Sequence, residues 1–406
     1  MRYIVGLERT EEIREGNAVI SQVVPAHLEI RDTDKQHAVE LICKMPTQPG
    51  TKLGKEYTPT GVLSFNAHEI YVGTKFGFTR FGSNGLLVPF NQKGSSLESL
   101  VSEEAKLHVP NDGTCSCTFA AVSDVVYWLP TIKLGNKRDQ QALGLFHLTD
   151  EGIKPLSSME NIPIVGPLLS FHDLLFFYVE KDSAPTQRKG MLYCKGKRAL
   201  YMARSKDAFS FELYPQPVAL CTDDEFVYSA GTVKGDIIIH QFNPHLELKS
   251  KISVSLNSIS DLTAFAIFNV GYTSPNISGI LESTLSDTTY ALLGGTNGTL
   301  ALVDITSSKR VAELDILDRE LREYIGPTPY VRNILVAQGT DDADILVQYT
   351  NATVHLKASD LLTTAFYLCA HGDPDALLRA PGYTHDFKNN QRVAVFPTSI
   401  TCSGVL

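Results

Sequence analysis

Short apolar runs separated by turn-forming residues dominate the chain. Runs of five to eight β-branched, aromatic and aliphatic residues alternate with Gly, Asn, Asp and Pro, which is typical of many short antiparallel strands. Helical periodicity is confined to two segments, Ser96–Leu107 and Leu317–Ile325, and the second ends at Gly326. The pattern therefore predicts an all-β protein with two short helices.

One element of the pattern recurs along the chain. An acidic residue precedes an apolar, usually aromatic strand at intervals of 49 to 63 residues; these acids are Glu69, Asp124, Asp173, Asp224, Asp287 and Asp344. One further step upstream reaches Asn17, just before the predicted strand Val19–Val24. Turns favour Asp in any β protein, but chance turns would not keep this spacing. With Asn17 the chain has seven such units, and a period of about 50 residues indicates propeller or solenoid repeats.

Several of these units continue into a glycine-rich hairpin. The clearest hairpins are Gly73–Gly77, Gly231–Gly235 and Gly295–Gly298, where glycine supplies the positive φ that tight turns need. The segment Gly294–Asp304 resembles the WD-repeat family, in which a strand ends in Gly-Ser/Thr and the next strand closes with Trp-Asp. Val303 stands where that Trp would be, and Ile30-Arg31-Asp32 is a weaker match. The Trp-Asp pair itself is absent from the sequence.

The resemblance and the period together predict a WD-repeat-like, seven-bladed β-propeller with four-stranded antiparallel blades. Radial stacking buries both faces of every sheet, whereas two β-sandwiches would need a linker that the sequence lacks. A terminal strand is expected to close the ring, either Arg2–Glu8 or Arg392–Pro397, and Ala370–Asn390 is expected to be a surface excursion. The single domain spans 1–406, with approximate blades 1–50, 51–112, 113–160, 161–208, 209–258, 259–326 and 327–406.

Net charge and cysteine content limit the partners and the cellular compartments that are expected for this protein. The formal net charge is −9, which disfavours bulk binding to nucleic acid. The seven cysteines mostly lie in apolar runs, which suits a reducing compartment. The N-terminus lacks the apolar stretch of a signal peptide, and no run is long enough to span a membrane. We therefore expect a protein of the cytoplasm or nucleus with no membrane span.

Candidate chemical motifs are incomplete. Gly50–Lys55 resembles a phosphate loop but is one residue short and lacks the Ser/Thr that binds magnesium. Cys115 and Cys117, with His108 nearby, could bind a metal, but Cys-x-Cys in a strand usually packs in a core. His371–Asp375 has two carboxylates and too few oxygen ligands for calcium. The sequence predicts no cofactor and no metal site.

The predicted inner strands of the blades lack catalytic groups. These runs are almost wholly apolar or small, and they are Val62–Asn66, Cys117–Ala121, Leu168–Phe171, Val218–Cys221, Ala264–Phe268 and Ile334–Ala337. A central channel lined in this way would hold no acid, base or nucleophile. The prediction is therefore that the protein is not an enzyme.

Basic residues concentrate in the hairpins of units two to five. We call these residues the basic rim: Lys75, Lys133, Lys137, Arg138, Lys181, Arg188, Lys189 and Lys234. The equivalent turns of the other units hold Asn297, Asn351 and Pro25, and Thr131–Gln141 and Lys181–Gly190 are longer than a tight turn requires. The competing interpretation is that long hairpins are simply solvated and rich in lysine.

The leading functional hypothesis is a non-catalytic scaffold for protein–protein interaction. The chain would be one propeller subunit of a larger intracellular assembly, such as a nuclear-pore, coat, ubiquitin-ligase or chromatin complex. The basic rim would dock an acidic partner surface or peptide and gain association rate by charge steering. The alternatives are a propeller enzyme or small-ligand binder that uses the central channel, and a nucleic-acid contact through the basic rim.

Overall fold

A computed structural model of the chain describes most of its strands. The described residues are 1–13, 21–46, 58–66, 68–74, 77–88, 113–134, 140–142, 145–149, 152–155, 164–172, 174–181, 189–196, 199–201, 211–212, 218–223, 225–233, 235–245, 247–270, 288–340, 342–373 and 376–406. The predicted helix Ser96–Leu107 lies outside them. The chain divides into two compact units: the first is Arg2–Asp182, Met191–Met202 and Phe396–Leu406, and the second is Met1, Ser183–Gly190 and Ala203–Val395.

Sheets 1 to 3 belong to the first unit, and their strands are antiparallel. Sheet 1 has the order β32-β1-β4-β5 and comprises β1 (Arg2–Leu7), β4 (His27–Asp32), β5 (Ala38–Lys44) and β32 (Ile400–Val405). Sheet 2 comprises β6 (Pro59–Phe65), β7 (Glu69–Thr74) and β8 (Gly77–Gly82). Sheet 3 comprises β9 (Gly113–Val122), β10 (Val125–Leu134), β11 (Gln140–Ala142), β12 (Phe146–Thr149) and β13 (Gly152–Pro155). A separate hairpin joins β2 (Thr10–Ile13) to β3 (Ser21–Val24).

Sheet 4 completes this series of antiparallel sheets. It comprises β14 (Ile164–Phe171), β15 (Leu174–Lys181), β16 (Lys189–Gly196), β17 (Ala199–Tyr201) and β18 (Phe211–Glu212).

The two chain termini meet in sheet 1. Strand β32 pairs with β1, with Ile4 opposite Gly404 and Val5 opposite Ser403. Of the two segments that were candidates to close a ring, Arg392–Pro397 instead contributes β31 (Val393–Val395), which pairs with the strand Ala352–Lys357. The predicted strand Val19–Val24 corresponds to β3 in its described part, Ser21–Val24, but its place in the repeat is wrong: the second strand of sheet 1 is β1, and among the described residues β3 pairs only with β2.

Sheets 5 to 7 and the two α-helices within the described residues belong to the second unit. Sheet 5 comprises β19 (Ala219–Thr222), β20 (Val227–Val233), β21 (Asp236–Phe242) and β22 (Leu248–Ser255). Sheet 6 comprises β23 (Leu262–Val270), β24 (Thr288–Gly295), β25 (Leu300–Asp304), β26 (Lys309–Asp315) and β30 (Leu377–Arg379). Sheet 7 comprises β27 (Asn333–Gln338), β28 (Ala343–Gln348), β29 (Ala352–Lys357) and β31. The helices are α1 (Arg319–Ile325) and α2 (Ala358–His371).

Helix α1 begins and ends at the residues that the sequence indicates. The carboxylate of Asp318 accepts a hydrogen bond from the Leu321 N–H at 2.7 Å, and Gly326 ends the helix with φ +112°. An Asp at the N-cap and a Gly at the C-terminus are the expected signals. The prediction of this helix is confirmed.

Apolar clusters lie between successive sheets of each unit. In the first unit, Tyr71 and Phe78 of sheet 2 pack with Trp128 and Phe146 of sheet 3. The Trp128 ring is fully buried, with centroids 5.6 Å from Phe78 and 5.4 Å from Phe146. Each sheet thus hides an apolar face against its neighbour, as layered β architectures require. The prediction of an all-β protein is confirmed.

An insertion separates the last two strands of sheet 7. We call the described residues of 358–390 the α2–β30 insertion, because they contain α2 and β30. Strand β30 pairs in parallel with the outer strand β26, and Leu378, Tyr383 and Phe387 are buried in the core of the unit. The expectation that Ala370–Asn390 is a surface excursion is therefore wrong for these residues, because their apolar side chains enter the core.

Candidate functional site

The structure describes the backbone of three basic-rim residues. Lys133 lies near the end of β10, where it pairs with Thr114 of β9, and Lys181 and Lys189 lie at the facing ends of β15 and β16. All three therefore lie in strands, close to the ends of β10, β15 and β16. The other members lie outside the described residues: Lys75, Lys137, Arg138, Arg188 and Lys234. The basic rim as a binding surface stays a prediction.

Two of the acids that mark the repeat, Glu69 and Asp344, hold neighbouring strands together. The Glu69 carboxylate lies 3.2 Å from the Arg80 guanidinium on the neighbouring strand, and it accepts the Tyr71 hydroxyl at 3.1 Å. In sheet 7, Asp344 contacts His355 Nε2 at 2.6 Å and Lys357 Nζ at 2.8 Å. Opposite charges across neighbouring strands stabilise a sheet. The repeated acid is therefore a structural element at these positions.

Burial and charge act in opposite directions on the Asp344–His355 pair. Burial raises the pKa of Asp344, but hydrogen bonds from Lys357 and His355 outweigh it, and the pKa of Asp344 is lowered. Burial lowers the pKa of His355 more than Asp344 raises it. The aspartate is therefore ionised and the imidazole neutral at neutral pH. The two residues lie on the paired strands β28 and β29, so their contact stabilises sheet 7.

A second acid, Asp223, organises the turn between β19 and β20. Its carboxylate accepts the N–H groups of Glu225 at 2.8 Å and Phe226 at 2.7 Å, together with the Tyr228 hydroxyl at 2.6 Å. Burial, assisted by Asp223, raises the pKa of Tyr228. Gln241 donates to the same hydroxyl at 3.1 Å. The network satisfies the buried phenol inside sheet 5.

The first strand of each sheet carries almost no ionisable group. Strands β32, β6, β9, β14, β19, β23 and β27 contain no Asp, Glu, His, Lys, Arg or Tyr, and their ionisable residues are Cys115, Cys117, Cys221 and Cys402. Burial raises the pKa of Cys221 and of Cys402 to about 12. These thiols are protonated at neutral pH, whereas a nucleophile or a metal ligand must be a thiolate. Within the described ranges, no cluster of His, Cys, Asp and Glu could hold a metal.

The sequence prediction missed one surface, the outer strand β5 of sheet 1. The side chains of Val39 and Ile42 are 42% and 50% exposed. The only signal in the sequence is that apolar residues of Ala38–Lys44 fall on both faces of the strand and not on one face alone. A strand buried on both faces gives the same signal, so only the strand order identifies an open edge.

Comparison with known proteins gives distant likenesses. No family model matches the chain, and no curated protein matches it. Solved structures similar to it are U3-55K (TM-score 0.39, 12% identity, 78% of this chain and 81% of that chain) and the RRP9 WD40 repeats (0.39, 12%, 78% and 80%). Another is the WD40 β-propeller domain of Doa1, with TM-score 0.40, 8% identity and 88% of each chain covered. The all-β fold class rests on the sheets described above.

In the described part of the chain, neither α1 nor α2 is long and apolar enough to cross a membrane.

Proposed function

We propose that the chain is a seven-bladed, WD-repeat-like propeller that acts as a non-catalytic scaffold within a larger intracellular assembly. Sheets 1 to 7 would be its blades within one domain of residues 1–406, each built on four antiparallel strands, with a fifth strand added to sheets 3, 4 and 6. Two observations support the architecture. The sheets run as antiparallel meanders in chain order, and the two termini share sheet 1 through β1 and β32. A ring of blades removes long open edges in this way.

The observation that carries the non-catalytic role is the composition of the first strands. In a propeller these strands surround the central channel, and here they offer apolar side chains, small hydroxyl and amide side chains, and cysteines, of which Cys221 and Cys402 are protonated thiols. General acid–base catalysis needs a titratable group within hydrogen-bond reach of the substrate. A channel enzyme would lack that group, so function falls to the loops at the rims.

The basic rim is the surface that we propose for partner binding. Its eight residues gather positive charge on hairpins of a chain whose net charge is −9. Such a local excess steers an acidic partner into place, and most of its effect is on association rate. The proposed partner surface is therefore an acidic patch or an acidic extended peptide.

Charge reversal tests this proposal. In one variant, Lys137, Arg138, Arg188 and Lys189 are all changed to Glu. A matched control reverses four exposed lysines of the second unit instead: Lys249, Lys251, Lys309 and Lys388. Both variants and the wild type are affinity-purified from the native source, and stoichiometric partners are quantified by mass spectrometry. Circular dichroism confirms that each variant is folded.

The proposal predicts loss of partners from the basic-rim variant and retention by the control. Equal recovery from both variants would remove the basic rim as the docking surface. If partner recovery is equal and salt-dependent retention on a polyanion column is lost only in the basic-rim variant, a nucleic-acid contact becomes the better explanation.

A further inference from the structure

Helix α1, in the connection from sheet 6 to sheet 7, is too short to be stable by itself. It has seven residues, whereas isolated helices shorter than about 12–15 residues are marginal in water. Leu321 and Ile325 bury its apolar side in the core of the second unit. The helix therefore depends on the elements that hold it against that core.

Helix α1 bridges the hairpin turns of sheets 6 and 7. The Arg322 guanidinium donates a hydrogen bond to the Asn297 carbonyl at 3.3 Å, in the turn between β24 and β25. The side-chain amide of Asn351, in the turn between β28 and β29, donates to the Tyr324 carbonyl at 3.4 Å. Both bonds are long, so they need a further element to keep the helix in place.

The α2–β30 insertion contacts α1 at both of its ends. At the start, the buried Thr384 hydroxyl accepts the N–H of the N-cap residue Asp318 at 2.8 Å and donates to the Ile316 carbonyl at 2.6 Å. At the other end, the Phe387 ring lies 5.5 Å from the Tyr324 ring, centroid to centroid. The insertion thus fixes where the helix begins and where it ends.

The insertion is itself attached to both sheets. Its strand β30 pairs with β26 of sheet 6. The Tyr383 hydroxyl donates to the Asp360 carbonyl of α2 at 3.0 Å and lies 2.7 Å from the Thr364 hydroxyl. The Asp360 carboxylate also pairs with Arg392, just before β31 of sheet 7, at 3.0 Å. Neighbouring residues Tyr383 and Thr384 therefore tie α2 to the start of α1.

We propose that the α2–β30 insertion is a conformational lock on α1. While residues 381–390 are docked, the helix is folded across the turns of sheets 6 and 7. When they lift, α1 loses its contacts at both ends, unfolds and releases both turns, so that the two openings are one event. Coupling of this kind is reciprocal: weakening either element must loosen the other. The lock is independent of the binding role proposed for the basic rim.

Amide hydrogen exchange, resolved by residue with mass spectrometry, tests the lock. Thr384→Val keeps the side-chain shape and removes the hydroxyl, so exchange should become about five- to tenfold faster along all of α1. The Gly326 N–H, which bonds the Arg322 carbonyl at 3.1 Å, reports the far end of the helix. Acceleration at the start of α1 without acceleration at Gly326 would overturn the proposal.

The matched control for this variant is Thr363→Val. Thr363 lies on the exposed side of α2, and its hydroxyl donates to the Ser359 carbonyl at 2.8 Å. The same chemical change there should leave exchange in α1 unchanged. Retained protection in sheet 5 shows that each variant is folded. Equal acceleration of α1 by both variants would mean that loss of a hydroxyl anywhere in the insertion has this effect, and the lock at Thr384 would be rejected.

The reverse experiment weakens α1 and observes the insertion. Asp318→Ala removes the carboxylate that accepts the Leu321 N–H at 2.7 Å, but it keeps the backbone N–H that Thr384 accepts. Exchange in residues 381–390 should accelerate by a factor similar to that in α1. Glu323→Gln, an exposed change on the same helix, should alter neither. Faster exchange in α1 with unchanged exchange in residues 381–390 would show that the two open separately.

Discussion

The Glu313 carboxylate accepts the backbone N–H of Ser258 at 2.7 Å, across 55 residues of sequence. It also accepts the Ser258 hydroxyl, the Asn257 N–H at 3.0 Å and an Arg310 N–H at 2.8 Å, and it is only 2% exposed. Burial raises the pKa of Glu313, but bonds from Ser258, Asn257 and Arg310 outweigh it, and that pKa is lowered. The contact fastens the loop that follows β22 to strand β26 of the next sheet.

Replacing Glu313 should therefore destabilise the second unit. Glu313→Gln loses the charge and turns an amide NH₂ toward these donors, so the free energy of unfolding should fall by about 1–3 kcal/mol in urea at neutral pH. Because the folded pKa is lowered, the contribution is complete above the ordinary pKa of Glu and is lost as pH falls through the folded value. The difference between wild type and variant should narrow in acid.

The matched control for this experiment is Glu247→Gln. Glu247 also accepts hydrogen bonds, from Asn243 and Lys249, but its side chain is 67% exposed. The same chemical change there should leave the unfolding midpoint unchanged. Equal effects at the two positions, or a constant difference down to low pH, would contradict the role assigned to Glu313.

Gly61 should not tolerate a side chain, because β6 and β9 approach closely there. A Cβ on Gly61 would lie 1.8 Å from the Cys117 carbonyl oxygen. The backbone would have to move, so Gly61→Ala should cost about 1–3 kcal/mol or more. Gly382→Ala is the control, since nothing lies within 4 Å of a Cβ there. Thermal unfolding should separate the two variants, and equal melting temperatures would show that the approach of β6 and β9 is looser than described.

Local signals explain why the strands and α1 were predictable. Turn residues bound each strand, and α1 has its own N-cap and terminal Gly in adjacent sequence. The position of the first repeat was predicted wrongly for a topological reason. Extrapolating the spacing assumes that each sheet draws its strands from one continuous segment, whereas sheet 1 takes its first strand, β32, from the other end of the chain.

Helix α2 was missed because its N-terminal signal is not local. Lys357 occupies the N-cap position and makes no capping hydrogen bond. Instead, Asp342 accepts the Ser359 N–H at 3.0 Å and its hydroxyl at 2.6 Å, from 17 residues upstream. The open edge at β5 and the anchor at Glu313 were missed for a related reason. The first depends on which strand is outermost in sheet 1 and the second on which loop lies beside β26, and only the folded topology fixes either.

Removal of the Asp342 carboxylate should loosen the start of α2. Asp342→Ala leaves the Ser359 N–H and hydroxyl at the start of the helix without this acceptor, which should cost about 0.5–2 kcal/mol. In Asp342→Ala, amide hydrogen exchange should become faster than in the wild type in the first turn of α2, and it should stay unchanged in sheet 5. Asp373→Ala, an exposed acid just beyond the other end of α2, should not destabilise the protein. Unchanged exchange in Asp342→Ala would mean that packing alone holds the helix.

Buried thiols should be unreactive in the folded protein. Burial raises the pKa of Cys43 to about 11 and that of Cys402 to about 12, so the thiolate that reacts with iodoacetamide is scarce at neutral pH. Alkylation of both residues, followed by mass spectrometry, should be at least about 100-fold slower than in guanidinium chloride, where an ordinary cysteine pKa returns. If Cys402 were alkylated at the unfolded rate in the intact protein, the thiol would be an available nucleophile. The argument against catalysis on the first strands would then fail at Cys402. The rest of that argument would be unaffected, because these strands contain no Asp, Glu, His, Lys, Arg or Tyr.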